Sequence, residues 1–358
     1  MSKAGRLRLG FLALADAAPL IVAEAQGFFA EEGLDVVLER EAAWATVRDK
    51  LAAGALDGAQ MLAPAVLAAT LGLGAPATPL VAPLALNRGG AAVVLSPALA
   101  AAETAGALAA ALEARRVGGA PAVFGVVFPY SLHDCLLRHW LAARGIDPDR
   151  DARLIVAPPS RTAGLLAAGE LDGFSAGEPW GAVAVARGLG AVAARATTVF
   201  PGAPDKVLAV REEMASRDPG RLRALLRALL RAGRWCDEPD HREALAELLS
   251  AESRLAVPAA AIRAGLADIV FHAGEAGAPA PVEAAWLLAQ MLRWGQAPGV
   301  DIAATVKRTW RHDLYAAAAG DLGWPVRPPA SSLALGEAAP FRLSEARAWA
   351  AAQPFSRL

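Results

Sequence analysis

The sequence predicts an α/β chain built as two βαβ-based lobes with an interlobe cleft. Three observations carry that prediction. The 358 residues are 55% hydrophobic and 20% charged, enough apolar material for two domains or one bilobal unit. Short apolar runs alternate with segments of helical period, the pattern of parallel βαβ units. One block of the chain also occurs twice. "LAAGALDGAQMLAPA" (51–65) and "LAAGELDGFSAGEPW" (166–180) align at an offset of 115 residues. That offset pairs Gly54 with Gly169, Leu56 with Leu171, Asp57 with Asp172, Gly58 with Gly173, Pro64 with Pro179, and further upstream Gly10 with Gly125.

The elements follow in the same order in each copy. "LRLGFLAL" and "AVFGVVF" read as opening strands, and "APLIVAEAQGFFAEEG" and "SLHDCLLRHWLAARG" as the helices after them. "LDVVLER" and "ARLIVA" read as second strands; a second helix then closes on "LAAG", and a third strand follows "LDG". Gly54 and Gly169 stand just past a helix, where φ > 0 is often needed. Ligands of open α/β sheets sit beyond the carboxyl ends of the strands, so the cleft is expected there. The expected domains are 1–86 plus 196–358, lobe one with a helical C-terminal region, and 87–195, lobe two.

The stretch from Gly58 to Asn87 carries no charge and is long enough to cross a bilayer. Pro64, Pro76, Pro79 and Pro83 break any continuous helix, so it reads as strand, short helix and a turn-rich crossing between lobes. In the C-terminal region Asp218 is the expected N-cap of an amphipathic helix with Pro219 at its first position. "PVEAAWLLAQMLRWGQAP" repeats the amphipathic pattern, with Trp286, Met291 and Trp294 as core residues. The segment after Leu322 is expected to wrap the surface.

Composition narrows the function. The net charge is -1, which offers no basic surplus for direct nucleic-acid binding. Cys135 and Cys236 are too few for a disulfide framework and read as reduced thiols. The chain has no Gly-x-Ser-x-Gly elbow, Walker loop, His-Glu-x-x-His or Cys-x-x-Cys, and no cluster with metal-ligand spacing. No enzyme and no cofactor is expected.

Three places could carry ligand chemistry. In "FPYSLHDCLLRHW", Ser131 caps a helix through a Ser-x-x-acid pattern and His133 falls in the first turn. Free N–H groups and the positive end of the helix dipole favour an anion there; a half-exposed surface histidine is the equal alternative. In "REAAWATVRDKL", Trp44 stands near a strand end and offers an indole N–H on an apolar plate, though taken alone it reads as packing. In "GAPDKVLAVREEM", Lys206 precedes an apolar strand; taken alone it reads as solvated, or as a weak surface pair with Asp205.

Together these residues resemble a known family. "LGFLALADAAPLIVAEAQGFFAEEGLDVVLEREAAWATVRDKLAAGALDGAQMLAP", "SLHDCLLRHWLAARGIDPDRD", "GELDGFSAGEPW", "PDKVLAVREEM" and "AAWLLAQMLRWGQAP" are similar, in the same order, to the nitrate- and bicarbonate-binding proteins of the NrtA/CmpA type. The resemblance covers roughly Leu7 to Leu322 and implies a type II periplasmic-binding-protein fold that closes on a small oxyanion. It also implies that Trp44, His133 and Lys206 contact the anion, and a lysine at 206 points to nitrate or nitrite. The family's loop amide is missing from "LALNRGGAAVV", so backbone N–H groups at Gly89 and Gly90 are the expected substitutes, with Asn87 or Arg88 as further candidates. The plain start "MSKAG" and the lack of a lipobox cysteine direct the expectation to the cytoplasmic branch of the family, the NasS-type nitrate/nitrite sensors. That reading expects a cytoplasmic protein whose partner is an RNA-binding antiterminator. The alternative is the solute-binding subunit of a nitrate or bicarbonate ABC transporter.

Overall fold

The computed structural model describes residues 5–335 and 338–358; Met1–Ala4 of the "MSKAG" start lie outside them. Two five-stranded sheets dominate the architecture. The first holds β1 (Leu7–Leu12), β2 (Val36–Glu41), β3 (Gly58–Leu62), β4 (Leu80–Ala85) and β11 (Lys206–Arg211), in the order β2-β1-β3-β11-β4. The second holds β6 (Ala91–Leu95), β7 (Ala122–Val126), β8 (Ala152–Val156), β9 (Gly173–Gly177) and β10 (Ala191–Arg195), in the order β10-β6-β9-β7-β8. In each sheet four strands run the same way, and one antiparallel strand, β11 in the first and β6 in the second, is set between the edge strand and the other three. The chain crosses between sheets twice. The outward crossing carries β5 (Arg88–Gly89), which pairs with β12 (Ile269–Val270); the return leads into β11.

The 115-residue repeat has a physical basis. Asp57 closes a reciprocal pair with the main chain of Arg8: its carboxylate accepts from Arg8 N–H at 2.8 Å and its own N–H donates to the Arg8 carbonyl at 2.9 Å. Asp172 does the same with Val123, at 2.8 Å both ways. The Leu-Asp-Gly motif thus fastens the third strand of each lobe to the first. The preceding glycines, Gly54 and Gly169, both adopt φ +71, a conformation that only glycine takes without strain. Gly10 and Gly125 make room for the matched leucines: a Cβ would lie 2.6 Å from Leu56 Cδ1 and 2.8 Å from Leu171 Cδ1, respectively.

Two sequence expectations need correction. The stretch Leu80–Ala85 is a strand, not part of a turn-rich crossing. Pro83 is tolerated because β4 is an edge strand and its pairing with β11 is irregular there. The segment after Leu322 does more than wrap the surface. Its β13 (Ser332–Leu335) and β14 (Ala338–Arg342) form a hairpin, and Phe341 and Ala350 are buried with the helix Pro281–Arg293. That helix is buried along nearly its whole length, with the Trp286 ring edge-on to Phe200 at 4.5 Å. Asp218 caps the helix Pro219–Asp237 by accepting from Arg221 N–H at 3.2 Å. Cys135 and Cys236 are buried free thiols; burial pushes both up, away from reactivity. Among the described residues no helix is long and apolar enough to cross a membrane.

Gly10→Ala and Gly125→Ala should each lower stability by about 1–3 kcal/mol, the cost of overpacking a filled core. Urea unfolding reads this directly. The account expects the two matched positions to respond alike, and a neutral result at either would break the equivalence.

Candidate functional site

The carboxyl ends of β1, β2 and β3 and the first residue of β11 lie at one end of the first sheet, because β11 runs antiparallel to β3. In the second sheet β7 and β9 end where the helix Leu132–Ala142 begins. Side chains from these ends meet between the lobes. Lys206 opens β11, Trp44 opens the helix Trp44–Ala52, and His133 is the second residue of Leu132–Ala142. All three are buried. The Lys206 ammonium lies 3.4 Å from His133 Nε2 and 5.6 Å from the centre of the Trp44 ring.

The histidine is therefore interior, not a half-exposed surface residue. Its helix is capped as expected: Ser131 Oγ accepts from Asp134 N–H at 3.0 Å and donates to the Phe128 carbonyl at 2.6 Å. The Asp134 carboxylate turns away to Arg138 and Gln296, accepting at 3.1 and 2.9 Å. Arg48 and Lys50 stay outside, paired with Asp49 and with Glu39 and Glu41.

Sequence reasoning missed Asp16 and placed Asp205 at the surface. Lys206 Nζ is 2.6 Å from Asp205 Oδ2 and 3.1 Å from Asp16 Oδ2, and all three side chains are fully buried. The Lys206–Asp205 contact is thus a buried ion pair, not a weak surface one. Gln60 donates to Asp16 Oδ1 while its own Oε1 accepts from Leu12 N–H at 2.8 Å, which fixes the carboxylate. Asp205 Oδ1 is 3.5 Å from His133 Nε2. The 115-residue offset places Asp16 opposite the cap Ser131, a mark of a strand-end position that could have exposed it. Gly177 closes the cage from lobe two; a Cβ there would sit 3.3 Å from Asp16 Oδ2 and 3.6 Å from His133 Cε1.

Gly89 and Gly90 occupy the crossing beside this cage. Both have positive φ, +74 and +77. Their carbonyls are used structurally, accepting from Asn87 Nδ2 at 2.9 Å and from Glu178 N–H at 2.8 Å. Asn87 Oδ1 accepts from Lys206 N–H at 3.0 Å, so Asn87 positions the lysine through its backbone. Arg88 is committed elsewhere, to Glu283 and to the carbonyls of Gly202, Ala276 and Ala278.

Electrostatics follow from burial. Desolvation pushes Asp16 up to about 6, against the pull of Lys206, and raises Asp205 as well. Burial works to lower the Lys206 ammonium, but Asp16 and Asp205 outweigh it and hold it above its ordinary value. Burial and the neighbouring Lys206 drive His133 well below its ordinary value, so the ring is neutral. Trp44 Nε1, His133 Nδ1 and Asp205 Oδ1 are buried without a hydrogen-bond partner among the described residues, and Asp16 Oδ2 has only the Lys206 ammonium. Such groups are costly unless something satisfies them. A cavity of about 480 Å³ opens between residues of both lobes at the ends of β1 and β2, lined by Leu12, Leu14, Arg40, Pro159, Ser160 and Trp180 among others. Two bonds join the lobes beside it: Trp180 Nε1–H donates to the Ala13 carbonyl at 3.2 Å, and Ala15 N–H donates to the Glu178 carbonyl at 2.8 Å.

Residues 2–250 match the model of the NMT1-like family. The chain is 38% identical over 333 residues to the bicarbonate transport ATP-binding protein CmpC of Synechococcus elongatus, covering 88% of this chain and 50% of that protein. It is 32% identical over 351 residues to the nitrate/nitrite binding protein NrtA of the same organism, covering 90% and 79%. The chain spans about half the length of the ATP-binding relatives it matches. The crystal structure of the periplasmic nitrate-binding protein NrtA from Synechocystis PCC 6803 superposes with a TM-score of 0.90 at 28% identity, over 97% of this chain and 98% of that one. The fold is the bilobal type II periplasmic-binding-protein fold. The same matches correct three expectations. The relatives belong to import systems and the superposed structure is periplasmic, so the cytoplasmic location, the sensor branch and the RNA-binding antiterminator partner are overturned. Those expectations rested on where the sequence begins, which carries no information about the site.

The raised Asp16 predicts a pH effect. The folded state keeps a proton that the unfolded chain, with its carboxyl near 3.8, releases. Between about pH 4 and 6 the folded state therefore binds more protons, and raising the pH through that window lowers stability. Thermal unfolding of wild type should lose more over that window than Asp16→Asn does; parallel pH profiles would show that Asp16 titrates normally.

Proposed function

The chain belongs to the NMT1-like family, alongside the NrtA binding proteins, and we propose that it is the extracytoplasmic solute-binding unit of an import system for a small planar oxyanion, nitrate or bicarbonate. One observation carries this reading: a buried lysine, a buried histidine and a buried tryptophan, from both lobes, meet at the strand ends that face the cleft. The Lys206 ammonium supplies charge. The Trp44 indole N–H supplies a fixed donor still without a partner among the described residues, and the neutral His133 ring supplies one more. Gly89 and Gly90, with positive φ on the adjoining crossing, are the proposed backbone contribution. The segments 1–86 with 196–358, and 87–195, are the proposed bodies that close on the anion, joined by the crossings near 86–90 and 196–205. A ligand that binds the closed form better shifts the population toward it, and the closed form is the proposed signal to the membrane components of the importer.

Calorimetry with nitrate and with bicarbonate tests this. One-to-one binding of at least one of them is expected. Trp44→Phe keeps the plate and removes only the donor, and should weaken binding by about 1–3 kcal/mol, the worth of a hydrogen bond to a charged group. His133→Ala should weaken it similarly. Lys206→Glu would set a third carboxylate against Asp16 and Asp205 and should abolish nitrate binding. No binding of either anion, or unchanged affinity in both Trp44→Phe and His133→Ala, would sink the reading.

A further inference from the structure

An ammonium flanked by two carboxylates is an unusual place for an anion. With both acids ionised and His133 neutral, the cage formed by Asp16, Asp205, Lys206 and His133 is net negative before any ligand arrives. Adding a bare anion there, out of water, is strongly disfavoured. Among the described residues, the charged groups on the surrounding elements are already committed. From the Trp44–Ala52 helix, Arg48 pairs with Asp49 and lies against the Phe128 ring. From the Leu132–Ala142 helix, Asp134 pairs with Arg138. From β3 comes only the neutral Gln60, and from the crossing the neutral Asn87, with Arg88 held by Glu283. Beyond β9, Glu178 takes the Ala182 N–H and faces Arg195 at 3.6 Å. The unpaired atoms make the same point without reference to charge. Asp205 Oδ1 is an acceptor without a partner, and Asp16 Oδ2 has only the Lys206 ammonium at 3.1 Å, alongside the unpaired donor Trp44 Nε1. Nitrate can satisfy the donor and neither acceptor.

We propose that Asp16 and Asp205 are specificity-determining residues that admit an oxyanion into the cage only together with one proton. The inference rests on the oxyanion-binding reading and deepens it. The proton has two sources. Bicarbonate carries it as its own O–H, which donates to a carboxylate oxygen of the pair while its other oxygens face Lys206 and Trp44. Nitrate has none, so its binding draws a proton from solvent onto one carboxylate of the pair, making a neutral carboxyl that donates to the anion. The raised position of both acids places this uptake within reach of neutral pH. The pair thereby favours bicarbonate as pH rises and lets nitrate compete as pH falls.

Calorimetry in buffers of different ionisation heat, between about pH 7 and 8.5, separates the two sources in the wild-type protein. Nitrate binding should take up close to one proton and lose about tenfold in affinity per pH unit, the linkage for a single proton. Bicarbonate binding should take up none and stay nearly flat. Asp205→Asn is the clean variant: its amide oxygen can still accept from Lys206, and its amide nitrogen, in the place of Oδ1, can donate to His133 Nε2. In that variant the nitrate slope should vanish, and the nitrate-to-bicarbonate affinity ratio near pH 8 should rise about tenfold, with thermal unfolding confirming the fold. Nitrate binding without proton uptake in wild type overturns the inference and leaves the oxyanion reading standing. A variant with the wild-type slope and ratio also overturns it. Absence of binding by both anions at every pH overturns the oxyanion reading itself.

Discussion

The site depends on the burial of one ammonium group. Lys206 is fully buried at the first position of a strand that returns from the other lobe. Leaving such a charge uncompensated would cost several kcal/mol. Asp205 and Asp16 compensate it, and the rest of the cage follows from holding those two carboxylates in place. Gln60 on β3 and the Leu12 main chain lock Asp16, while Asn87 on the crossing locks the Lys206 backbone. His133 and Trp44 then complete the walls. The interlobe bonds from Trp180 and Ala15 join the lobes around a cluster whose lysine is compensated but which is still short of hydrogen-bond partners.

The duplicated architecture explains how residues so far apart in sequence converge. Each lobe presents the carboxyl ends of three parallel strands, tied by an Asp57 or Asp172 clamp, toward the other. The double crossing sends β11 back into the first sheet beside β3 and sends β6 into the second beside β9. This exchange puts Lys206 directly after a segment leaving lobe two, with His133 across the gap. A one-pass connection could not set a lobe-one strand and its lysine at the boundary of both lobes in this way. Similarity to NrtA over nearly the whole chain is consistent with this constraint acting on the fold as a unit.

Much of the fold was legible. The offset of 115 residues exposed the two lobes, and the helix-period segments and the cap at Ser131 lie where the patterns predict. Trp44, His133 and Lys206 were each singled out locally, His133 as an even choice and the other two as packing or surface, and resemblance to the family joined them into one site. The edge strand β4 was hidden by Pro83, whose place at the sheet edge beside an irregular pairing only the sheet order reveals. Asp16 and Asp205 were hidden for a different reason. A carboxylate next to a lysine in sequence normally signals solvent, and no local pattern says that both will be buried. Location and partner were misjudged from the first residues of the chain, which bear on targeting and not on the cage.

The central claim is that the cage around Lys206 holds the oxyanion. A crystal structure of the protein grown with nitrate or bicarbonate tests it most directly. The account predicts density for a planar anion within hydrogen-bond distance of Lys206 Nζ and Trp44 Nε1, with Asp16 and Asp205 still flanking the lysine. An anion seated instead in the outer cavity beside Arg40, with the Lys206–Asp205–Asp16 cluster unchanged and Trp44 Nε1 still without a partner, would contradict it.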